Sequence, residues 1–485
     1  MKNLSIFLLA IINLIFSCKK TDNVYPLAPP DIGPVAVSSQ DRVYTADQSS
    51  NTVSVIDPST DKFLGVIRFG NARPQDFSPL YDKEANVHGM GISPDNHTLG
   101  VISTLTNSVS FVNLATNSIK GKVYVGRNPH EGFFTPDGKQ FWLAVRGEDY
   151  IAVIDVEKMQ EIKQIHTAKG PSMVVFRPDG KIAFVNHSFT AELDVIDTKK
   201  YEVIKRIPVV SPFSPNIATT FDGQQVWFTH KDDGKVTVVN AQTFEIEGVI
   251  ETGPGTNHVN FAGEGGGSRY SGSAAGTFAY VTVGGENAVK VYSRDRQLVA
   301  TIAVGPNPHG VWPSGDGSKL YVGLENGDAV DVIDTKTNTK INEIASGQAP
   351  QALIYAVKAI PDVKNIAQNL QAFTPVAPLN FRLTPIGTQP VPGIGGGITV
   401  RTLEGIDELI LALKKLMPQT TYTLYLSDQK SSAVNPEPVL VFKTDAKGAA
   451  EMNAYYQIKL RLSARFFVVL RGNKDPAGEV SLNIP

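Results

Sequence analysis

A phrase that returns seven times constrains this chain more than anything else in it. Each copy has a strand with Val-Tyr, Tyr-Val or a similar pair, then a short turn, then a second strand. The second strands close at Asp57, Asn113, Asp155, Asp197, Asn240, Ser293 and Asp334. Most steps are about 42 residues, a period that accommodates four short strands. Strands of alternating Val, Ile and Thr cannot bury both faces within one repeat. Neighbouring repeats must therefore stack, and a ring leaves no repeat uncovered. The sequence predicts an all-β chain: a seven-bladed β-propeller followed by a C-terminal β-sandwich-like domain.

The turns agree with this period. Ser93-Pro94-Asp95-Asn96, Thr135-Pro136-Asp137-Gly138 and Arg177-Pro178-Asp179-Gly180 each follow an inner strand. Pro fixes φ, Asp caps its own turn and Gly accepts positive φ. The closest repeat copies are Val43-Tyr44-Thr45-Ala46 with Val53-Ser54-Val55-Ile56-Asp57, and Tyr321-Val322-Gly323-Leu324 with Val332-Ile333-Asp334. Over about residues 40 to 358 these motifs resemble the YVTN family of seven-bladed propellers, although neither copy keeps the Asn of Tyr-Val-x-Asn. The resemblance implies the fold and leaves the function open, because fold alone does not specify chemistry.

Blade 1 begins at its second strand, Arg42 to Ala46. Its innermost strand is expected from the other end of the propeller, near Ala349 to Ala356, so that a shared blade latches the ring. Two inserts break the period, Asn71 to Asn86 on the top face and Gly263 to Gly276 at the bottom. The first is expected to overhang the top mouth. The second contains Gly263-Glu264-Gly265-Gly266-Gly267 without a following helix or Lys-Ser/Thr, and reads as a loop rather than a phosphate cradle.

The N-terminus reads as an export signal. Met1-Lys2 is followed by an apolar run from Leu4 to Phe16, too short for a membrane span. It ends in Ile15-Phe16-Ser17-Cys18, which resembles a bacterial lipobox, with Phe16 bulkier than the usual small residue. Cys18 is the single cysteine, so it has no disulfide to form within the chain and fits an acyl anchor. Lys19 is not the Asp that favours inner-membrane retention. The expectation is a lipoprotein anchored to the outer membrane and exposed outside the cytoplasm, the cell surface included. Residues 1–17 are the signal, 18–39 a Pro-rich tether, 40–358 the propeller, 359–378 a linker with a helix possible over Val363 to Ala372, and 379–485 an immunoglobulin- or fibronectin-like sandwich. In that last part Ile406 to Leu416 fits either a strand or a helix. It contains no His and no Cys, which excludes a cupredoxin copper site. A formal net charge of −2 without a basic patch gives no reason to expect nucleic acid. A monomer is expected.

One constellation carries chemical interest. In repeat register, the inner strands open on His88, His130, Ser172, Asn216, His258, His309 and Gln351, a ring holding four of the chain's eight histidines. His187 and His230 fall at top-face hairpins, and Arg146 occupies the same hairpin of another blade. Three readings follow: repeat consensus with His bonded to backbone, a ligand pocket, or a divalent-metal site on His88, His130, His258 and His309. No Ser-His-Asp set, HExxH or phosphate loop is present. The function expected is binding of a protein, glycan, or small-molecule or metal ligand at the top face. The alternative is a lactonase-like hydrolase, which needs an acidic group converging with His. Glu131 is the candidate, but strand alternation turns it away from His130.

Overall fold

The computed structural model describes residues 34–70, 83–263, 277–361, 367–373, 379–385, 395–402, 407–428, 437–456, 466–471 and 475–483. Seven four-stranded antiparallel sheets follow one another along the chain. The innermost strands are Pro350–Ala356, Val87–Ile92, Pro129–Phe134, Pro171–Phe176, Ile217–Thr219, Thr256–Gly263 and Pro308–Pro313, for blades 1 to 7. Each packs on the next, and blade 7 packs on blade 1, so the ring closes. Blade 1 is shared as expected. Pro350–Ala356 pairs with Arg42–Asp47, placing Tyr44 opposite Ile354 and Val43 opposite Tyr355.

The burial pattern explains the repeated phrase. The second and third strands are buried along nearly their whole length, and Arg42–Asp47 and Thr52–Asp57 along all of it. The outermost strands, such as Gln160–His166 and Thr339–Ala345, are mostly exposed. In blades 6 and 7 the tyrosine of the phrase stitches one blade to the next, whereas the buried Tyr44 hydroxyl of blade 1 has no hydrogen bond among the described residues. Tyr280 donates to Asn338 Oδ1 at 3.2 Å, and Tyr321 to Asp61 Oδ1 at 3.2 Å. In blade 3, Trp142 takes that place and stacks on Tyr201, ring centroids 5.7 Å apart. The Pro-Asp-Gly turns form as read: Thr135 Oγ1 donates to Asp137 Oδ1 at 2.6 Å, and Gly138 has φ of 71°.

Residues 367–373 form a turn and a single bridge, with no helix. Gln371 pairs with Val66 and so covers part of the outer edge of blade 1. Beyond it, eight strands are hydrogen-bonded into one continuous sheet. Its order is Glu437–Lys443, Thr421–Ser427, Phe466–Arg471, Asp475–Asn483, Leu379–Pro385, Gly395–Thr402, Asp407–Lys414, Ala450–Tyr456. Leu409, Leu411 and Leu413 alternate into its core with Ile398, Leu424 and Phe467, which settles Asp407–Lys414 as a strand. This sheet touches the propeller through Arg401, whose guanidinium binds Glu408 Oε2 at 2.6 Å and also Asp328 on the top-face hairpin of blade 7.

Candidate functional site

The site is made by a β-bulge repeated around the channel. In blade 3, Pro129 pairs with Val145 and Gly132 with Leu143, so His130 and Glu131 together span Ala144. The same shift recurs in blades 1, 2, 4, 6 and 7. A bulge sets two residues against one and re-aims their side chains, suspending the alternation of a regular strand. Two rows result at the top mouth. The outer row is His88, His130, Ser172, Pro215, Asn257, His309 and Gln351. The inner row is Gly89, Glu131, Met173, Asn216, His258, Gly310 and Ala352.

The hydrogen bonds identify the rows independently. Outer-row side chains reach the outer-row carbonyl of the next blade: His130 Nδ1 to Ser172 O at 2.8 Å, Ser172 Oγ to Pro215 O at 3.2 Å, and His309 Nδ1 to Gln351 O at 3.0 Å. Thr229 and Thr282 reach the outer-row carbonyls of Asn257 and His309, both at 2.7 Å. His258 and Asn216 thus lie one row deeper than the sequence register put them. The bulge adds a residue without altering composition, and counting by period cannot detect it. For the same reason Glu131 is not turned away. It faces the channel, 3.9 Å from His258 Nε2 on the opposite wall.

The proton positions follow from these contacts. Asn216 Oδ1 accepts the Val259 N–H at 2.9 Å, so its Nδ2 donates to His258 Nδ1 at 3.2 Å. The His258 proton is then on Nε2, an atom that is buried and unpartnered. His130 and His309 donate from Nδ1 to carbonyls, and His88 Nδ1 donates to Gln48 Oε1 at 2.6 Å. Their Nε2 lone pairs are left as acceptors. Burial, reinforced by the charges of Arg146 or Lys231, pushes the imidazoles of His88, His130 and His309 well below 6.5. Burial brings His258 to about 3. All four are neutral at pH 7.

Two cations on top-face hairpins, Arg146 and Lys231, act on this neutral ring. Arg146 is half-buried, and among the described residues its guanidinium has no hydrogen bond or ion pair. Burial lowers its pKa, against the nearby charge of Glu131. Lys231 acts on His88, His258 and His309 from the next hairpin but one. Below lies a cavity of about 310 Å³, its open end included, lined by Glu131, Met173, Asn216 and His258 over an apolar floor of Met90, Phe133, Val311 and Trp312. Its free space takes roughly one or two water-sized groups.

The structure separates the predicted residues. His88, His130, Ser172, His309 and Gln351 share the outer row, and Arg146 acts on it from a top-face hairpin. His187 and His230 do not reach the mouth. Both are fully buried inside their own blades: His187 Nδ1 donates to Glu192 O at 2.9 Å, and His230 bonds Ser214 Oγ at 2.9 Å and Thr237 Oγ1 at 2.7 Å. The imidazoles of His88, His130, His258 and His309 stand in two pairs, each with ring centroids 4.6 Å apart. Among the described residues no group of three or more His, Cys, Asp or Glu is placed to hold a metal ion, so the metal reading loses its geometric basis. Residues 71–82 of the expected overhang, and Cys18, lie outside the described residues. Sequence reasoning missed Lys231, which no repeat motif marks.

Residues 90–296 match the family model of the YNCE-like beta-propeller. Over these residues, under half of its length, the chain is similar to the YNCE-like β-propeller. This is closely related in kind to the YVTN repeat that its sequence resembles. Among solved structures, it is similar to a functionally unknown protein from Desulfotomaculum acetoxidans at 14% identity and a TM-score of 0.52, covering 66% of this chain and 99% of that one. A second similar structure is Kuenenia stuttgartiensis hydrazine synthase, at 19% identity and a TM-score of 0.48, covering 57% of this chain and 92% of that one. The first likeness shows a shared fold. Comparison with curated proteins gave no match.

Proposed function

We propose that this protein is an extracytoplasmic binding lipoprotein. Its propeller is held to the outer membrane through Cys18 and takes a small polar ligand at the top mouth. The observation that carries the binding reading is the facing pair of His258 Nε2 and Glu131 Oε1, 3.9 Å apart in a cavity. That distance is too long for a direct hydrogen bond, and a polar atom about 2.8 Å from both would sit beside the line that joins them. Concave sites with a few convergent polar groups on an apolar floor are the usual form of small-molecule pockets. The lipobox-like Ile15-Phe16-Ser17-Cys18 supports the anchor. A thermal-shift panel of glycan fragments, organic acids and peptides tests the reading. A true ligand raises the Tm of the wild type and leaves that of Glu131→Gln unchanged. A ligand that shifts both equally would place binding elsewhere.

The same pair supports a second reading, the lactonase-like hydrolase. It supplies the acidic group converging with His that such chemistry needs, with Glu131 positioned to take a proton from a water held against His258. Lactone hydrolysis by the wild type and its loss in Glu131→Gln would favour this reading over binding alone.

A further inference from the structure

We propose that the ligand of the mouth is a small hydroxylated carboxylate, such as a sugar acid, with one hydroxyl seated between His258 and Glu131 and its carboxylate held by Arg146 and Lys231. This rests on the reading of the mouth as a binding site.

Hydrogen-bond polarity selects the hydroxyl. His258 presents a proton on Nε2, and Glu131 presents oxygen acceptors. A group between them must accept from one and donate to the other. An ammonium cannot accept from His258, and a carboxylate oxygen cannot donate to Glu131. A hydroxyl does both. The space of one or two water-sized groups admits a hydroxyl and keeps the body of the molecule above, in the outer row. There the Nε2 lone pairs of His88, His130 and His309 accept further hydroxyl protons, and the unpartnered Gln351 Nε2 donates.

Charge selects the carboxylate. A half-buried guanidinium without a protein partner is a fork shaped for a planar oxyanion. The Gly89, Gly310 and Ala352 positions of the inner row are small. That leaves Glu131, Met173, Asn216 and His258 to give the cup a polar side and an open side.

The test follows the fluorescence of Trp312, which lines the cavity, in the full chain. D-galacturonate and D-gluconate are the hydroxylated carboxylates. D-galactose lacks the charge, and propionate lacks the hydroxyls. The acids are expected to bind at least about tenfold more tightly than galactose or propionate, with Arg146→Gln removing most of that advantage. His258→Gln is expected to weaken both acids and galactose. Galactose binding as well as galacturonate, or an Arg146→Gln variant that binds both acids normally, overturns the carboxylate. Propionate matching the acids overturns the hydroxyl. If neither acid binds while another compound is blocked by Glu131→Gln, the ligand class is wrong and the mouth reading stands. If the acids bind but ignore both Glu131→Gln and His258→Gln, the mouth reading itself falls.

Discussion

His258 is held neutral by its surroundings, and this has a pH signature. Its folded value, about 3, is depressed from an unfolded value near 6.5, so between these limits the unfolded chain binds the extra proton. Stability should fall as pH drops below 6.5, by about 2 kcal/mol at pH 5 from this group alone. Asp47 acts in the opposite sense. Burial raises its carboxyl to about 7 despite hydrogen bonds from Thr45, Thr52 and Ser54, so acidification from 7 towards 3.8 relieves its cost. Denaturant midpoints at pH 7 and pH 5 should show a smaller acid loss in His258→Gln than in the wild type. An identical loss would mean that this imidazole is not held neutral. The tautomers are separately measurable. Nitrogen-15 spectra of histidine-labelled protein should place the proton of His258 on Nε2 and those of His130 and His309 on Nδ1. Because the latter two bind carbonyls of the channel wall, His130→Ala should cost about 1–3 kcal/mol for the acceptor left unpaired at Ser172. The Nδ1 atoms of His130 and His309 thus serve the channel wall, and their Nε2 atoms are the ones left for the proposed ligand.

The bulge is the element on which the site depends. Gly89 occupies its inner-row position in blade 2, where a Cβ would lie 2.1 Å from His130 O, and at Gly310 one would lie 2.5 Å from Gln351 O. Gly89→Ala should force neighbouring inner strands apart and lower the stability by about 1–3 kcal/mol, read as a fall in Tm. An unchanged Tm would show that the inner strands are not in close contact there. Much of the propeller was legible because its signals are local: the Val-Tyr and Val-Ile-Asp strands, the Pro-Asp-Gly turns, and the missing strand of blade 1. The rows were only half legible. His88, His130, Ser172, His309 and Gln351 were found because spacing preserves them. Asn216 and His258 were placed one row off, and Glu131 was turned the wrong way, because a bulge changes pairing and not residue type. His187 and His230 were misjudged for another reason. Their distance along the strand was right, but burial and partners within their own blades are not written in the spacing.

At the scale of the whole molecule, the ring closes through Pro350–Ala356 and Arg42–Asp47, and the linker lies across the outer edge of the same blade at Gln371. The C-terminal sheet meets the top-face hairpin of blade 7 through Arg401 and Asp328, the face that carries the mouth. If Cys18 is the anchor, labelled fatty acid should enter the full chain, and Cys18→Ala should move it to the soluble fraction. Membrane retention of that variant would remove the lipoprotein reading. The propeller itself should be unaffected, since its first strand begins at Arg42, well beyond Cys18. The central claim is that the mouth holds a ligand, and the most direct measurement is what the intact protein retains. The full chain is equilibrated with the small molecules of spent growth medium, washed, and analysed by mass spectrometry beside the Glu131→Gln/His258→Gln double variant. The account predicts a hydroxylated acid enriched on the wild type and absent from the variant. Equal enrichment on both would contradict it.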